Sequence, residues 1–295
     1  MIENTPAASS ERQQRKPFWL RRPIAFQGKQ HQVNQQIDAS GLHTVCKEAR
    51  CPNRSECFAR GTATFLVMGS VCTRGCAFCS VDKGIADSLD WSEIDRVVDA
   101  ARTMKLCHVV VTSVTRDDLP DGGASFFRAL VGAFRSALPE VTIELLIPDL
   151  KGDAGALEMV FSSRPDILNH NVETVPSLYS SIRPQAAYYR SLEVLRSAAG
   201  AGLVTKSGLM VGMGESPREI FDVLDDLHQC GCSIVTIGQY LQPSPRQTAV
   251  IEYVSLEQFD AYRVYGEQKG IARVSAGPFV RSSYHAAGII EALSL

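Results

Sequence analysis

From Ala63 onward, six short apolar runs alternate with stretches of helical length, without any fixed-period repeat of sequence. The runs are TFLVM (64–68), HVVVTS (108–113), TIELLI (142–147), ILNHNV (167–172), KSGLMV (206–211) and SIVTIG (233–238). Most carry β-branched residues, as parallel strands covered on both faces do. Helices are expected at about 91–104, 122–136, 153–163, 188–200, 217–229 and 256–269. Ser216-Pro217-Arg218-Glu219 is a capping box with proline at the first helical position. Ser255 with Gln258 is a second start signal and Ser92 with Asp95 a weaker one. Six βα units imply an α/β fold with helices covering a parallel sheet. An open doubly wound sheet and a partial (βα)6 TIM-like barrel both satisfy that pattern. Polar residues recur at the strands' C-terminal ends, which favours the barrel, where those ends share one face.

Of nine cysteines, six fall within residues 46–79. The N-terminus is polar and has no signal-peptide core, so a reducing, cytoplasmic setting is expected. With an odd count as well, a disulfide framework is not expected and metal chemistry is. Cys72, Cys76 and Cys79 follow the first strand, with three and two residues between them. Three thiolates so spaced can hold three corners of a 4Fe–4S cube and leave one iron open to a small molecule. A structural zinc site needs a fourth ligand, usually as part of a second pair. Cys46, Cys51 and Cys57 form another triplet, with four and five residues between the thiols. It can hold a second cube, or be three unrelated thiols in an ordered extension.

The second triplet, placed after a first barrel strand, resembles the signature of the radical S-adenosylmethionine (SAM) superfamily. The two triplets together resemble the lipoyl synthase family in particular. That resemblance extends over VCTRGCAFCSV (71–81), VTSVTRDDLPDGGA (111–124), NHNVET (169–174), KSGLMVGMGE (206–215), GQYLQPS (238–244) and GPFVRSSYHA (277–286). Ser70 departs from it, standing where the family commonly has Asp. The resemblance implies SAM as co-substrate and two 4Fe–4S clusters, one on Cys72, Cys76 and Cys79. The auxiliary cluster would be held by Cys46, Cys51, Cys57 and Ser283, the second serine of Arg281-Ser282-Ser283-Tyr284, with Ser282 of much less consequence. Ser113, Asn171 and Glu173 are implied as SAM contacts, the last two suited to the ribose hydroxyls. The implied reaction inserts sulfur at C6 and C8 of a protein-bound octanoyl-lysine, with the auxiliary cluster as the sulfur source. The implied partners are octanoylated lipoyl carrier domains (2-oxoacid dehydrogenase E2 or the glycine cleavage H protein) and a ferredoxin or flavodoxin-type reductant. The expected organisation is a disordered tail (1–16), an N-terminal extension with the first triplet (17–61), the barrel (62–271) and a C-terminal extension with the RSSY motif (272–295). Both extensions would cross the barrel mouth.

Other features are weaker. Lys206 and Arg183 could bind the SAM carboxylate or form ordinary ion pairs. Gly212-x-Gly214 lacks the third glycine of a dinucleotide fingerprint. Asp117-Asp118-Leu-Pro-Asp121-Gly-Gly lacks the remaining ligands of a calcium loop and reads as the lead-in to a helix. Cys107, Cys230 and Cys232 read as buried or incidental thiols, and His170 as a barrel-layer residue. A formal net charge of -2 gives no support to nucleic-acid binding, and no apolar run is long enough to span a bilayer. Two other readings compete. A two-cluster methylthiotransferase would usually add an RNA-binding domain. An iron–sulfur carrier or scaffold would need neither six βα units nor an open iron.

Overall fold

A computed structural model describes residues 15–21, 35, 41–48, 51, 53, 56–57 and 64–283. Most of the expected tail and the end of the C-terminal extension, Tyr284 included, lie outside the described residues.

The chain order is β1 (His43–Thr44), α1 (Val45–Glu48), β2 (Thr64–Val67), β3 (Val71–Cys72), β4 (Asp82–Lys83), α2 (Glu93–Thr103), β5 (His108–Ser113), α3 (Ala124–Ala137) and β6 (Thr142–Leu146). It continues with α4 (Ala154–Ser162), β7 (Ile167–Asn169), α5 (Tyr179–Ile182), α6 (Tyr188–Gly200), β8 (Val204–Val211), α7 (Pro217–Gln229), β9 (Ile234–Gln239), α8 (Leu256–Lys269) and β10 (Arg273–Gly277). The main sheet runs β1-β2-β5-β6-β7-β8-β9-β10. Strands β2, β5, β6, β7, β8, β9 and β10 pair in parallel in that order, β1 adds antiparallel to β2, and β3 and β4 pair separately. The six expected strands and helices are all present, in a TIM-like α/β arrangement. β10 is a seventh parallel strand, inside the segment expected to be an extension. Among the described residues, no helix is long and apolar enough to cross a membrane.

Local signals explain the helix starts. Both halves of the Ser216–Glu219 capping box form at α7. Ser255 accepts from the Gln258 amide, and α8 ends on the left-handed Gly270. Asp121 accepts from the amides of Gly123 and Ser125, so the Asp-rich loop does lead into helix α3. The Ser92 start is different. Ser92 makes no cap bond; the Asp90 carboxylate, two residues upstream, accepts from its amide and hydroxyl. An Asx-type turn therefore replaces the expected box.

Alternation along the strands divides core from cavity. Leu209, Val211, Val235 and Ile237 face the helices in an apolar core. Gly208, Met210, Thr236 and Gly238, one position away along β8 and β9, line an interior cavity. On β6, Ile143 and Leu145 join the helix-side core, while Glu144 between them is completely buried. The inward positions mix polar and small residues with apolar ones such as Met210 and Leu66, and a cavity of about 490 Å³ remains between them.

Candidate active site

The second triplet lies in the loop after β2. Cys72 belongs to β3, which pairs with β4 and closes that loop back on itself. Backbone bonds fix the loop on three sides: Thr73 donates to Thr115 O (3.0 Å), Ala77 to Ile182 O (2.9 Å), and Thr248 to Ala77 O (3.0 Å). Gln185 Oε1 accepts from the Gly75 amide at 2.5 Å. The Cys72 sulfur accepts from the amides of Arg74 and Thr115, each at 3.4 Å. Arg74 itself turns away into a buried ion-pair cluster with Asp117 and Asp149, each at 2.6 Å. Burial pushes the Cys76 thiol up, against the opposing charge of Arg183. Burial likewise pushes Cys79 up to about 11. Bare thiols here would stay protonated at neutral pH; thiolates need a cationic partner, which iron supplies.

The first triplet is tied to the second and to the C-terminal segment. Cys46 sits in α1, and the Cys51 amide donates to its carbonyl. The Ser80 hydroxyl donates to Glu48 O at 2.6 Å, joining this segment to the loop of the second triplet. Asn53 Nδ2 donates to Phe279 O at 2.6 Å, joining it to the chain just before Ser283. One cavity is lined by all six triplet cysteines, by Ser283, and by Ser113, Asn171 and Glu173. Among the described residues, no three His, Cys, Asp or Glu side chains converge on a single-ion site. A lone ion holds thiolates at about 2.3 Å, whereas a cube spreads its ligands over separate irons.

Asn171 and Glu173 owe their position to a bulge. Asn169 pairs with Lys206, and Glu173 bridges to Leu209. Four steps along one strand therefore match three along the other, and the ladder ends at Asn169 rather than at the expected 172. Bulges of this kind re-aim side chains next to active sites. Glu173 adopts a left-handed φ of 66°. Its amide donates to Gly208 O (3.0 Å) and its carbonyl accepts from Met210 N (2.9 Å), so β8 holds it there from both ends. Asn171 Nδ2 donates to Glu173 Oε1 at 3.1 Å. Burial raises the Glu173 carboxyl, against the charge of Arg183. Among the described residues, Ser113 Oγ and Arg183 Nε are buried without a hydrogen-bond partner. Both residues line the cavity, so a ligand with donors and acceptors suits it.

Sequence left two cations open, and their surroundings differ. Lys206 donates to both oxygens of Glu144 at 2.9 Å and is 1% exposed. It is a buried ion pair rather than a carboxylate ligand at the mouth. Arg183 does border the cavity and donates to Asn171 O, Val172 O and the Tyr179 hydroxyl. His170 is buried, and its Nδ1 lies 2.9 Å from Ile147 O. Cys230 and Cys232 are buried as expected, but Cys107 is exposed.

Residues 66–227 match the family model described as the Radical SAM superfamily. The chain is 52% identical over 275 residues to a lipoyl synthase of Oleidesulfovibrio alaskensis, covering 93% of this chain and 94% of that protein. It is 51% identical to one of Chlorobium chlorochromatii (92% of this chain, 94% of that one) and 48% identical to one of Rubrobacter xylanophilus (92% and 85%). Its fold is similar to that of Streptococcus suis SuiB bound to S-adenosylmethionine, with a TM-score of 0.57 at 11% identity, over 77% of this chain and 54% of that one. It is also similar to the FeFe-hydrogenase maturase HydG of Carboxydothermus hydrogenoformans, with a TM-score of 0.53 at 16% identity, over 78% and 65%. The chain thus spans roughly half to two thirds of those two structures, and they bear on the fold alone.

Proposed function

The chain belongs to the lipoyl synthase family of the radical SAM superfamily, and from that premise we propose how its own residues divide the work. It is a radical SAM sulfur-inserting enzyme that acts on octanoylated lipoyl carrier proteins and uses SAM and two 4Fe–4S clusters. Cys72, Cys76 and Cys79 hold the cluster that binds SAM; Cys46, Cys51, Cys57 and Ser283 hold the auxiliary cluster. When bound, these groups supply a 5′-deoxyadenosyl radical on one side of the cavity and sulfide sulfur on the other.

The protein contributes position and seclusion. The backbone amides of Arg74 and Thr115 stabilise negative charge on Cys72 Sγ, as hydrogen bonds to cluster sulfurs do. Arg183 balances charge beside Cys76 and Glu173. Asn171 and Glu173, joined by their own hydrogen bond, receive the ribose hydroxyls, and Ser113 offers a further hydroxyl. Gly208 lets Asn171 and Thr236 approach β8 closely, and Gly238 lets the C-terminal segment close over the cavity at Val280. The described residues that flank the barrel, Val45–Glu48 with Asn53 on one side and Phe279–Ser283 on the other, act as covers that exclude water. An E2 lipoyl domain or the glycine cleavage H protein would present the octanoyl-lysine. A ferredoxin or flavodoxin would deliver electrons in the cytoplasm.

The observation that carries this reading is the single cavity bordered by both triplets, Ser283 and the Asn171–Glu173 pair. The test is anaerobic. Reconstituted protein with about eight irons per chain is incubated with SAM, dithionite and an octanoylated carrier peptide, and the peptide is weighed. Two sulfurs gained per peptide, with 5′-deoxyadenosine formed, is the expected result. Cys76→Ala should abolish SAM cleavage, and Cys51→Ala should keep it while making no sulfur product. Lipoyl product from Cys51→Ala would overturn the sulfur-donor assignment.

A further inference from the structure

Ser282 was expected to matter much less than Ser283, yet it carries one of the longest-range hydrogen-bond connections in the molecule. Asn169 Nδ2 donates to Ser282 Oγ at 2.7 Å and to Glu144 Oε1 at 2.7 Å, so both amide hydrogens are engaged. Ser282 Oγ in turn donates to Asn171 Oδ1 at 3.2 Å. Asn171 Nδ2 then donates to Glu173 Oε1. The chain of donors has one direction, from Asn169 through Ser282 and Asn171 to Glu173. Its root is rigid: Glu144 is fully buried and held by Lys206.

That polarity has a consequence at Asn171. With its oxygen accepting from Ser282, its NH2 group must face the Glu173 carboxylate. The flipped amide would set oxygen against carboxylate and leave the Ser282 hydroxyl proton without this acceptor. Ser282 is also the residue before Ser283, so one hydroxyl fixes both the orientation of the Asn171 amide and the approach of the C-terminal segment. The C-terminal segment comes close enough here that a Cβ on Gly238 would overlap Val280 O.

We propose that Ser282 is a positioning residue that couples the two halves of the reaction, orienting Asn171 toward SAM while holding Ser283 in reach of the first triplet. The proposal rests on the reading above, in which Asn171 contacts SAM and Ser283 ligates the auxiliary cluster. SAM finds its aligned ribose site only when the C-terminal segment is seated. Radical formation is thereby tied to a cavity in which the sulfur donor is complete.

The test uses reconstituted holoenzyme and two readouts, equilibrium SAM binding and the ratio of 5′-deoxyadenosine to sulfur-containing product. Ser282→Ala should weaken SAM binding about two- to tenfold, the worth of one net hydrogen bond, and raise the ratio. Ser282→Thr, which keeps the hydroxyl, should restore both. Because Ser282 acts on SAM through Asn171, the Asn171→Ala/Ser282→Ala double variant should bind SAM no more weakly than Asn171→Ala alone. If Ser282→Ala fails to retain both clusters, Asn169→Ser repeats the test, since its hydroxyl is too short to replace the amide donor. Additive losses in the double variant, unchanged binding in Ser282→Ala, or a Thr variant as poor as the Ala variant would each overturn the coupling. Wild-type SAM affinity in Asn171→Ala would instead overturn the reading beneath it, and the coupling with it.

Discussion

Replacing Gly238 by alanine tests whether the C-terminal segment must lie across the barrel mouth. Gly238 is on β9 with its α-carbon facing the cavity, and its φ is not in the left-handed region, so alanine fits the backbone. The new methyl would overlap Val280 O and come within 3.0 Å of Arg281 Nη1 and 3.2 Å of Val280 C. The main obstacle is backbone, so no rotamer change relieves it, and overpacking of this kind costs about 1–3 kcal/mol. The segment can escape by lifting. What holds it includes the bond from Asn53 to Phe279 O and the two bonds of Ser282 to Asn169 and Asn171. At about 0.5–1.5 kcal/mol net each, these three bonds total about 1.5–4.5 kcal/mol. The two magnitudes are comparable, so a large share of molecules should have the segment raised while the barrel stays folded.

The consequence is separable by assay. Raising the segment removes Ser283 from the first triplet and leaves Cys72, Cys76 and Cys79 where they were. In anaerobic single-turnover reactions Gly238→Ala should insert sulfur about twofold more slowly if strain and holding bonds balance, and up to about 13-fold more slowly if strain exceeds them by about 1.5 kcal/mol. Because Ser282 lifts with the segment, SAM should bind about two- to tenfold more weakly; at saturating SAM 5′-deoxyadenosine should still form, so the ratio of nucleoside to sulfur product rises. Global stability should fall by no more than about 2.5 kcal/mol, because lost chain entropy in the unfolded state offsets about 0.4–1 kcal/mol of the overpacking cost. Wild-type sulfur insertion in Gly238→Ala would refute the idea that closure over this glycine is required. An equal loss of SAM cleavage at saturating SAM would refute the separation of the two sites.

Three other outcomes follow from the packing. Lys206→Met should destabilise the barrel by about 3–5 kcal/mol, because it leaves the Glu144 carboxylate buried without its cation; Glu144→Gln/Lys206→Met should recover most of that in denaturant midpoints. Gly132→Ala, in the exposed middle of α3 with nothing within 4 Å of the added methyl, should stabilise by about 0.5–1 kcal/mol and leave activity unchanged. Burial, aided by the charge of Arg183, lowers His170 to about 4, so the unfolded chain takes up this proton first on acidification. Stability should therefore fall from about pH 6.5 toward pH 4, by about 3 kcal/mol from this residue. His170→Gln should flatten the pH dependence of the denaturant midpoint over that window; an unchanged slope would show that His170 is not buried neutral.

The βα alternation was legible because its outward face is mostly apolar: Val109, Val111, Ile143, Leu145, Val235 and Ile237 all pack beneath helices. The inward face was not legible. Glu144 stands inside the run TIELLI and reads as an interruption, since its partner Lys206 is 62 residues away. β10 escaped notice because RVSAG has a single apolar β-branched residue, Val274, and pairs only with β9. The strand carrying Asn169 was read three residues too long, because apolar content cannot register a bulge that arises from pairing with β8.

The site residues divide along the same line. Cysteine spacing is local, so both triplets stand out in the sequence. Ser282 and Asn169 act through contacts made across the fold and carry no local signature of them. Ser282 meets Asn169 and Asn171 across 113 and 111 residues. The buried Glu144–Lys206 pair shows why such contacts belong together. An ion pair in that position contributes little net stability compared with apolar packing of the same volume. It does supply a fixed carboxylate from which Asn169, Ser282, Asn171 and Glu173 can be oriented in turn. A reaction that needs a radical source and a sulfur source at opposite ends of one cavity needs such a common reference more than it needs another apolar layer. Polar residues replace apolar ones on β6, β7 and β8, at the inward positions from which both halves of the site can be reached.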